Sequence, residues 1–307
     1  MNKRPPTPVE ADLIAKTFGL QPEEMPILAA MEGGMTNHSY LFQVNNQNYI
    51  LRVAGENSYE LTNVQRHQEA LVYKTVKNLA LADEILALDP ISGMKITRFW
   101  DNSRCCDPEN PDEVQQCMTL LRQFHERKLQ VPHQYDVYRE IRNFDGRRTI
   151  PSVYPDHHAV QQRCLEMEPI LARFRNAFIL CHCDSVHDNF LFVPGEAGEK
   201  LHLIDWEYAG VHDPYGDIAM FASYCCYQHG QVEQLMEYYL DAPPTDTIRL
   251  RVYGYLALVG MMWSNWCELK KQQGQDFGDY AAHQYRFASE YSLRFWTLFS
   301  EMGGELH

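Results

Sequence analysis

The chain has 307 residues, of which 45% are hydrophobic and 22% charged, and its 27 Lys and Arg against 41 Asp and Glu give a formal net charge of −14. This is the composition of a well-cored globular protein, and it excludes a collagenous, disordered or disulfide-stapled miniature chain. The acidic balance, with no basic run longer than two residues, argues against a nucleic-acid partner and suits a cationic or metal-assisted substrate.

At roughly 100–200 residues per domain, the length predicts two modules or one bilobed unit. The longest uncharged apolar-rich run, Val252 to Trp263, has about a dozen residues against the ~20 of a membrane-spanning helix, so no membrane insertion is expected. Met1 to Leu13 places prolines and acids where a signal peptide needs an apolar stretch, and export by that route is not expected. Nine cysteines, odd in number, with two adjacent pairs and no CxxC spacing, predict a reduced, cytoplasmic chain. Nothing in the sequence sets an oligomeric state.

In chain order, Ile27 to Met31 is a short apolar run ending at Gly33-Gly34, and Tyr40, Phe42 and Val44 alternate with Leu41 and Gln43 as in a strand. Asn45 to Asn48 reads as a hairpin turn, with Tyr49 to Val53 as the returning strand. Leu61, Val64, Leu71, Val72, Thr75, Val76 and Leu79 approximate one helical face. Two short strands are expected at Glu84 to Leu88 and Met94 to Phe99. The polar Trp100 to Ser103 marks a boundary between residues 1–100, sheet plus one helix, and residues 101–307, where helices dominate. Asn110 as N-cap, Pro111 and Glu113 start a helix ending near Lys128, with Val114, Cys117, Met118, Leu121 and Phe124 as its buried stripe. A second hairpin is expected at Phe190 to Val193 and Leu201 to Ile204, and a helical bundle from Asp217 onward. The fold class is therefore α+β.

Three segments carry carboxylates and amides at suggestive spacing: His182 to Asn189, which fits HxDxxxxN, then Asp205-Trp206-Glu207, then Asp213 to Asp217. Phosphoryl transfer needs a carboxylate facing the acceptor hydroxyl, plus an amide and a second carboxylate holding Mg²⁺ on the nucleotide phosphates. Asp184 suits the first role, Asn189 and Asp205 the second. Gly33, Gly34, Thr36 and Asn37 lie between two strands, where glycine lets backbone N–H groups approach phosphates. Arg52 on the next strand and Glu69 on the following helix can pair as the Lys/Glu pair of protein kinases does. The plainer readings are a self-capped turn, a solvated Arg and a surface Glu. A zinc site on Cys181, His182, Cys183 and His187 is a further alternative, but CxC is not the usual finger spacing. On a strand, Cys181 and Cys183 are expected to point into the core, and His182 and His125 to be structural.

The ordered set GGMTN (33–37), YILRVAG (49–55), NVQRHQEA (63–70), HCDSVHDN (182–189), LHLIDWEYAG (201–210) and DPYGD (213–217) resembles the choline/ethanolamine kinase family, within the aminoglycoside phosphotransferase-like kinases. The resemblance implies a bilobed, protein-kinase-like fold, with a small antiparallel sheet plus one helix in a nucleotide-binding N-terminal lobe and a mainly helical C-terminal lobe. It implies ATP as donor, Mg²⁺ as cofactor and a small cationic amino alcohol as acceptor, most closely choline. By position it implies Asp184 as catalytic base, Asn189 and Asp205 on Mg²⁺ with Glu207 nearby, Arg52 on the ATP phosphates, and Asp217 bracing the catalytic loop.

A quaternary ammonium has no N–H to donate and is held by aromatic faces and nearby negative charge. Trp263 and Trp266 share a helical face at i, i+3, with Phe277 and Tyr280 downstream. Alone they read as core; as a set they are similar to the choline-pocket helix of choline kinases. In two respects the sequence departs from eukaryotic choline kinases. The acidic residue they carry shortly after the segment matching Asp217 to Phe221 is missing from Ala222 to Cys225, and the interval from Trp266 to Phe277 aligns only with a gap. The same chemistry on ethanolamine, a thiamine-like alcohol or an aminoglycoside, or a catalytically silent binding protein of the same fold, are the alternatives.

Overall fold

The computed structural model describes residues 3–31, 37–55, 64–196 and 198–304. Its strands are β1 (Lys3–Arg4), β2 (Leu28–Ala30), β3 (Asn37–Val44), β4 (Gln47–Ala54), β5 (Ile85–Leu88), β6 (Lys95–Arg98), β7 (Arg104–Cys105), β8 (Ile179–Cys181), β9 (Phe190–Val193), β10 (Lys200–Leu203) and β11 (Gly210–His212). Its helices are α1 (Pro8–Phe18), α2 (Arg66–Val76), α3 (Pro111–His125), α4 (Val137–Arg147), α5 (His157–Leu165), α6 (Glu168–Leu171), α7 (Tyr215–Tyr224), α8 (His229–Leu240), α9 (Asp246–Gln272) and α10 (Asp279–Glu301). They gather into two units: Met1–Cys105 with Leu191–Tyr208, and Cys106–Phe190 with Ala209–His307.

The first unit is built on a six-stranded antiparallel sheet of order β1-β2-β3-β4-β6-β5. Its tightest turn is shorter than the sequence suggested. Asn45 and Asn46, at φ 50° and 61°, make the whole of it, and β4 begins at Gln47, opposite Val44. Two left-handed residues are what a two-residue hairpin matched to strand twist demands, and Asn tolerates that region. Phe42, Val44, Leu51 and Ile96 project from β3, β4 and β6 into a core completed by Leu28 and by Ile14 of α1. Helix α1 is an element that the periodicity reading did not foresee. It is fixed locally: Thr7 accepts from the Glu10 N–H, Glu10 accepts from the Thr7 N–H, Pro8 opens the first turn and Gly19 closes the helix at φ 70°.

The division expected at residue 100 differs from this arrangement. Strand β9 pairs with β7 as well as β10, Leu203 donates its N–H to the Leu81 carbonyl, and so the hairpin of 191–208 belongs to the first unit. That hairpin carries Asp205 and Glu207 into the sheet-rich unit, while Asp184 and Asn189 stay in the helical one.

In the second unit α3 follows the expected pattern. Asn110 accepts from the Asp112 N–H, and Val114, Cys117, Met118, Leu121 and Phe124 are all buried. The bundle expected from Asp217 onward is α7 to α10. Leu250 to Met262 of α9 are buried on every side, as a helix apolar around its circumference must be. Helix α10 approaches it so closely at Gly260 that a Cβ there would lie 2.7 Å from the Gln284 carbonyl oxygen. Only glycine admits that contact. Among the described residues no helix is long and apolar enough to cross a membrane.

Candidate active site

In the first unit, alternation along β4 and β6 turns Arg52 and Lys95, which are opposed in the register, inward from the sheet. A buried guanidinium must be paired, because desolvating an unpaired charge costs several kcal/mol. Arg52, 4% exposed, donates to Glu69 Oε2 at 2.7 Å, to the Gly93 carbonyl at 3.0 Å and to Asp205 Oδ1 at 3.1 Å, and lies 3.4 Å from Glu207 Oε2. The expected Arg52–Glu69 pair is thus present, and the solvated-Arg reading is not. Two further cations join it that the sequence reading did not single out. Arg66 donates to Glu207 Oε2 at 2.7 Å and to Asn37 Oδ1 at 3.1 Å, while Lys95 donates to Asp205 Oδ1 at 3.1 Å and to the Tyr73 hydroxyl at 2.7 Å. Lys95 in the apolar segment Met94 to Ile96, and Arg66 three residues before Glu69, were the available signals.

The cluster sets its own protonation. Burial would raise the Glu69 carboxyl, but Arg52 and Lys95 hold it below its ordinary value. Burial likewise opposes the charge on Arg52, yet Glu69, Glu207 and Asp205 push its pKa well up. Asp83, next to Lys95 and accepting from Tyr73, is raised by burial. Glu207 was expected beside the metal, but it is 3% exposed, and its oxygens receive Arg66, Arg52 and both bonds from the Asn37 amide. It is therefore placed to hold the cations. Asp205, with a side chain 34% exposed and φ 63°, is the outermost carboxylate of the set. Gly33, Gly34 and Thr36 lie outside the described residues, as does Leu61.

In the second unit, β8 runs into the loop that carries Asp184. The loop has a strained entry, Cys183 at φ 62°, a region that costs a non-glycine residue about 1 kcal/mol or more. Asp217, on the first turn of α7, holds it there: its carboxylate accepts the N–H of His182 at 2.9 Å and of Cys183 at 2.7 Å, and lies 3.0 Å from His125 Nε2. Ser185 donates to the Asp217 carbonyl at 2.6 Å. Burial would raise the Asp217 carboxyl, but His125, His182 and the backbone donors keep it below the usual range. The bracing role expected of Asp217 is what these bonds describe, and His125, which also meets the Tyr239 hydroxyl at 2.9 Å, is a satisfied interior histidine.

Asn189 donates from its amide nitrogen to the Asp184 carbonyl at 2.7 Å and to Asp184 Oδ2 at 3.1 Å. Committing the nitrogen to Asp184 fixes the amide orientation and turns its oxygen away from Asp184. An amide oxygen and a carboxylate are the hard donors that Mg²⁺ takes, so Asn189 and Asp205 fit that ion by donor chemistry. The zinc alternative is not assembled. Cys181 donates to the His212 carbonyl and Cys183 to the Gly210 carbonyl, both thiols are buried, and burial holds both well above their ordinary pKa.

Three of the four aromatic residues, Trp263, Trp266 and Phe277, form a row in the second unit. Trp263 and Trp266 meet edge to face at 5.4 Å, and Trp266 and Phe277 lie 4.8 Å apart. Trp263 donates its indole N–H to Met220 Sδ at 3.4 Å, and Tyr280 packs edge-on to Tyr224 at 6.2 Å. Met220 and Tyr224 are one turn apart on α7, so both contacts fall on one helix face. Trp266 is 2% exposed, whereas Trp263, Phe277 and Tyr280 are partly exposed.

The first unit holds the paired cations with Asp205 and Glu207, and the second holds Asp184, Asn189 and the aromatic residues. Residues 28–242 match the choline/ethanolamine kinase family, and the chain belongs to that family. A curated relative, protein LicA of Haemophilus influenzae, is 27% identical over 268 residues, covering 81% of this chain and 75% of the relative. Among solved structures, choline kinase LicA from Streptococcus pneumoniae superposes with a TM-score of 0.73 at 23% identity, covering 93% of this chain and 98% of that one. A LicA in complex with AMP superposes at 0.75 with 24% identity, covering 94% and 100%. As a member of its family, the chain is an ATP-dependent phosphotransferase with an alcohol acceptor.

Proposed function

We propose that the chain phosphorylates choline, passing the γ-phosphoryl group of ATP to its hydroxyl. The observation that carries the acceptor choice is the aromatic row, which shares the face of α7 bearing Tyr224 and lies in the same unit as Asp184. A trimethylammonium group gives no hydrogen bond, and each cation–π contact contributes ~0.5–2 kcal/mol. Ethanolamine would favour a polar acceptor in place of an aromatic face.

Asp184 receives the proton of the acceptor hydroxyl as its oxygen bonds to the γ-phosphorus and the bond to the β-phosphate oxygen breaks, releasing ADP. Asn189 fixes the Asp184 carboxylate through its amide nitrogen. Arg52, aligned by Glu69, meets the ATP phosphates, together with Gly33, Gly34, Thr36 and Asn37. Asn189 and Asp205 would hold Mg²⁺, which when bound neutralises charge on the phosphates. Glu207 keeps Arg52 and Arg66 in place. Trp263 supplies a partly exposed ring of the pocket, with Trp266 as its support and Phe277 and Tyr280 as further lining. The odd number of cysteines, with two adjacent pairs and no CxxC spacing, favours the cytoplasm.

Coupled ADP release with Mg²⁺ and ATP, across choline, ethanolamine, thiamine and kanamycin, tests the reading, with Asp184→Asn as control. Selective turnover of choline is expected; silence with choline and turnover of another acceptor would discard the substrate and keep the mechanism. Trp263→Ala is expected to raise KM for choline about 2- to 30-fold, the range of one lost cation–π contact, with KM for ATP unchanged. An equal loss toward all acceptors would make Trp263 a core residue only.

A further inference from the structure

A cation bound along the aromatic row needs a counter-charge, and the two ends of the row differ. At the Trp266–Phe277 end, Glu268 is committed to Arg148, to the Ser152 hydroxyl and to the Val153 N–H, and Asp276 to Lys271 and the Gly278 N–H. That end also has a resident cation, since Lys270 Nζ lies 5.9 Å from the centre of the Trp266 ring. A second cation there would be repelled.

The opposite end is different. Tyr224 closes α7 and donates its hydroxyl to Asp188 Oδ2 at 2.8 Å, with its ring against Tyr280 and against His187 at 5.3 Å. Asp188 is part of the short turn His187–Asn189, four residues beyond Asp184; its side chain is 51% exposed, and its Oδ1 lies 3.4 Å from His187 Nδ1. Burial and the neighbouring Asp188 and Asp184 carboxylates hold the Tyr224 phenol far above its ordinary pKa, so it stays a neutral donor. It orients Asp188 without cancelling its charge.

Resting on the choline reading, we propose that Asp188, positioned by Tyr224, is the counter-charge that selects a cationic acceptor, and that the ammonium sits at the Trp263 end of the row, beside the face of α7 that bears Met220 and Tyr224. Asp184 then remains for the hydroxyl. This assigns the role for which Ala222 to Cys225 offers no acid: Tyr224 in that segment recruits a carboxylate from the catalytic turn.

The test compares choline with dimethylbutanol, its neutral analogue in which carbon replaces the quaternary nitrogen, in wild type, Asp188→Asn and Tyr224→Phe. Wild type is expected to favour choline. Asp188→Asn is expected to lower the kcat/KM ratio of choline over dimethylbutanol about tenfold, the scale of one near-surface charge contact. Tyr224→Phe, which keeps the ring and frees the carboxylate, is expected to lower it less. A merely structural role would lower kcat/KM for both acceptors alike and leave the ratio unchanged, which would overturn the assignment. If wild type itself shows no preference for choline over its neutral analogue, the cationic-acceptor reading fails, and the assignment with it. A preference that survives Asp188→Asn overturns Asp188 alone.

Discussion

Asp184→Asn is expected to lower kcat by about a hundred- to ten-thousandfold, the usual worth of a positioned general base, while ATP affinity stays near that of wild type. The substitution preserves shape and removes the ability to take a proton. It also leaves the loop's fastenings untouched: Asn189 still donates to the backbone carbonyl of residue 184, and Asp217 still holds the N–H groups of His182 and Cys183. The cation proposed to meet the phosphates, Arg52, belongs to the first unit, where it, Arg66 and Lys95 are fixed by Glu69, Glu207 and Asp205. Steady-state turnover, nucleotide binding by calorimetry and thermal unfolding separate these contributions. Turnover within tenfold of wild type, or lost ATP binding with residual turnover, would remove Asp184 from the role of base.

Much of this was legible because the motifs are local. The HxDxxxxN spacing places Asp184 and Asn189 on one short turn, and the Asn110-Pro111-Glu113 start of α3 needs only a few residues to declare itself. Helix α1 was equally local, in the Thr7–Glu10 capping box, but its one fully buried apolar residue, Ile14, left too weak a stripe for a reading based on periodicity. What the sequence hid is what distance in the chain hides. Lys95 lies 110 residues from Asp205, and Tyr224 lies 36 from Asp188. A Lys on an apolar strand and a Tyr at a helix end look alike whether they serve a site or the core. Likewise, a cut at residue 100 treats the chain as linear. The hairpin at 191–208 returns to the first unit because β9 has a partner in β7, and strand pairing between distant segments leaves no trace in composition. Glu207 was read by motif neighbourhood as lying near the metal; its bonds with Arg66, Arg52 and Asn37 join positions far apart in the chain and have no local signature.

Asp217→Ala is expected to cost about 3–5 kcal/mol of stability, the range for removing one partner from a buried charged network. Three groups lose their acceptor together: the N–H of His182, the N–H of Cys183 and the His125 ring. Each buried polar group left unpaired costs about 1–3 kcal/mol. Cys183 would also lose the bond that holds it at positive φ, so Asp184 next to it should lose its placement, and activity should fall with stability. Asp217→Asn is expected to cost less, because it keeps one acceptor oxygen, but its amide nitrogen would face a backbone donor. The two variants also differ from wild type in pH dependence. The carboxyl is depressed in the folded chain, so as the pH falls below the unfolded value of about 4 the unfolded chain binds the proton first. Its contribution is therefore complete above about pH 4 and is lost progressively below it, whereas neither variant has that slope. Denaturant unfolding of the three proteins at neutral pH and at pH values below 4 measures both effects. A loss under about 1 kcal/mol for Asp217→Ala, or an acid slope in the variants equal to that of wild type, would show that the loop is held by other bonds.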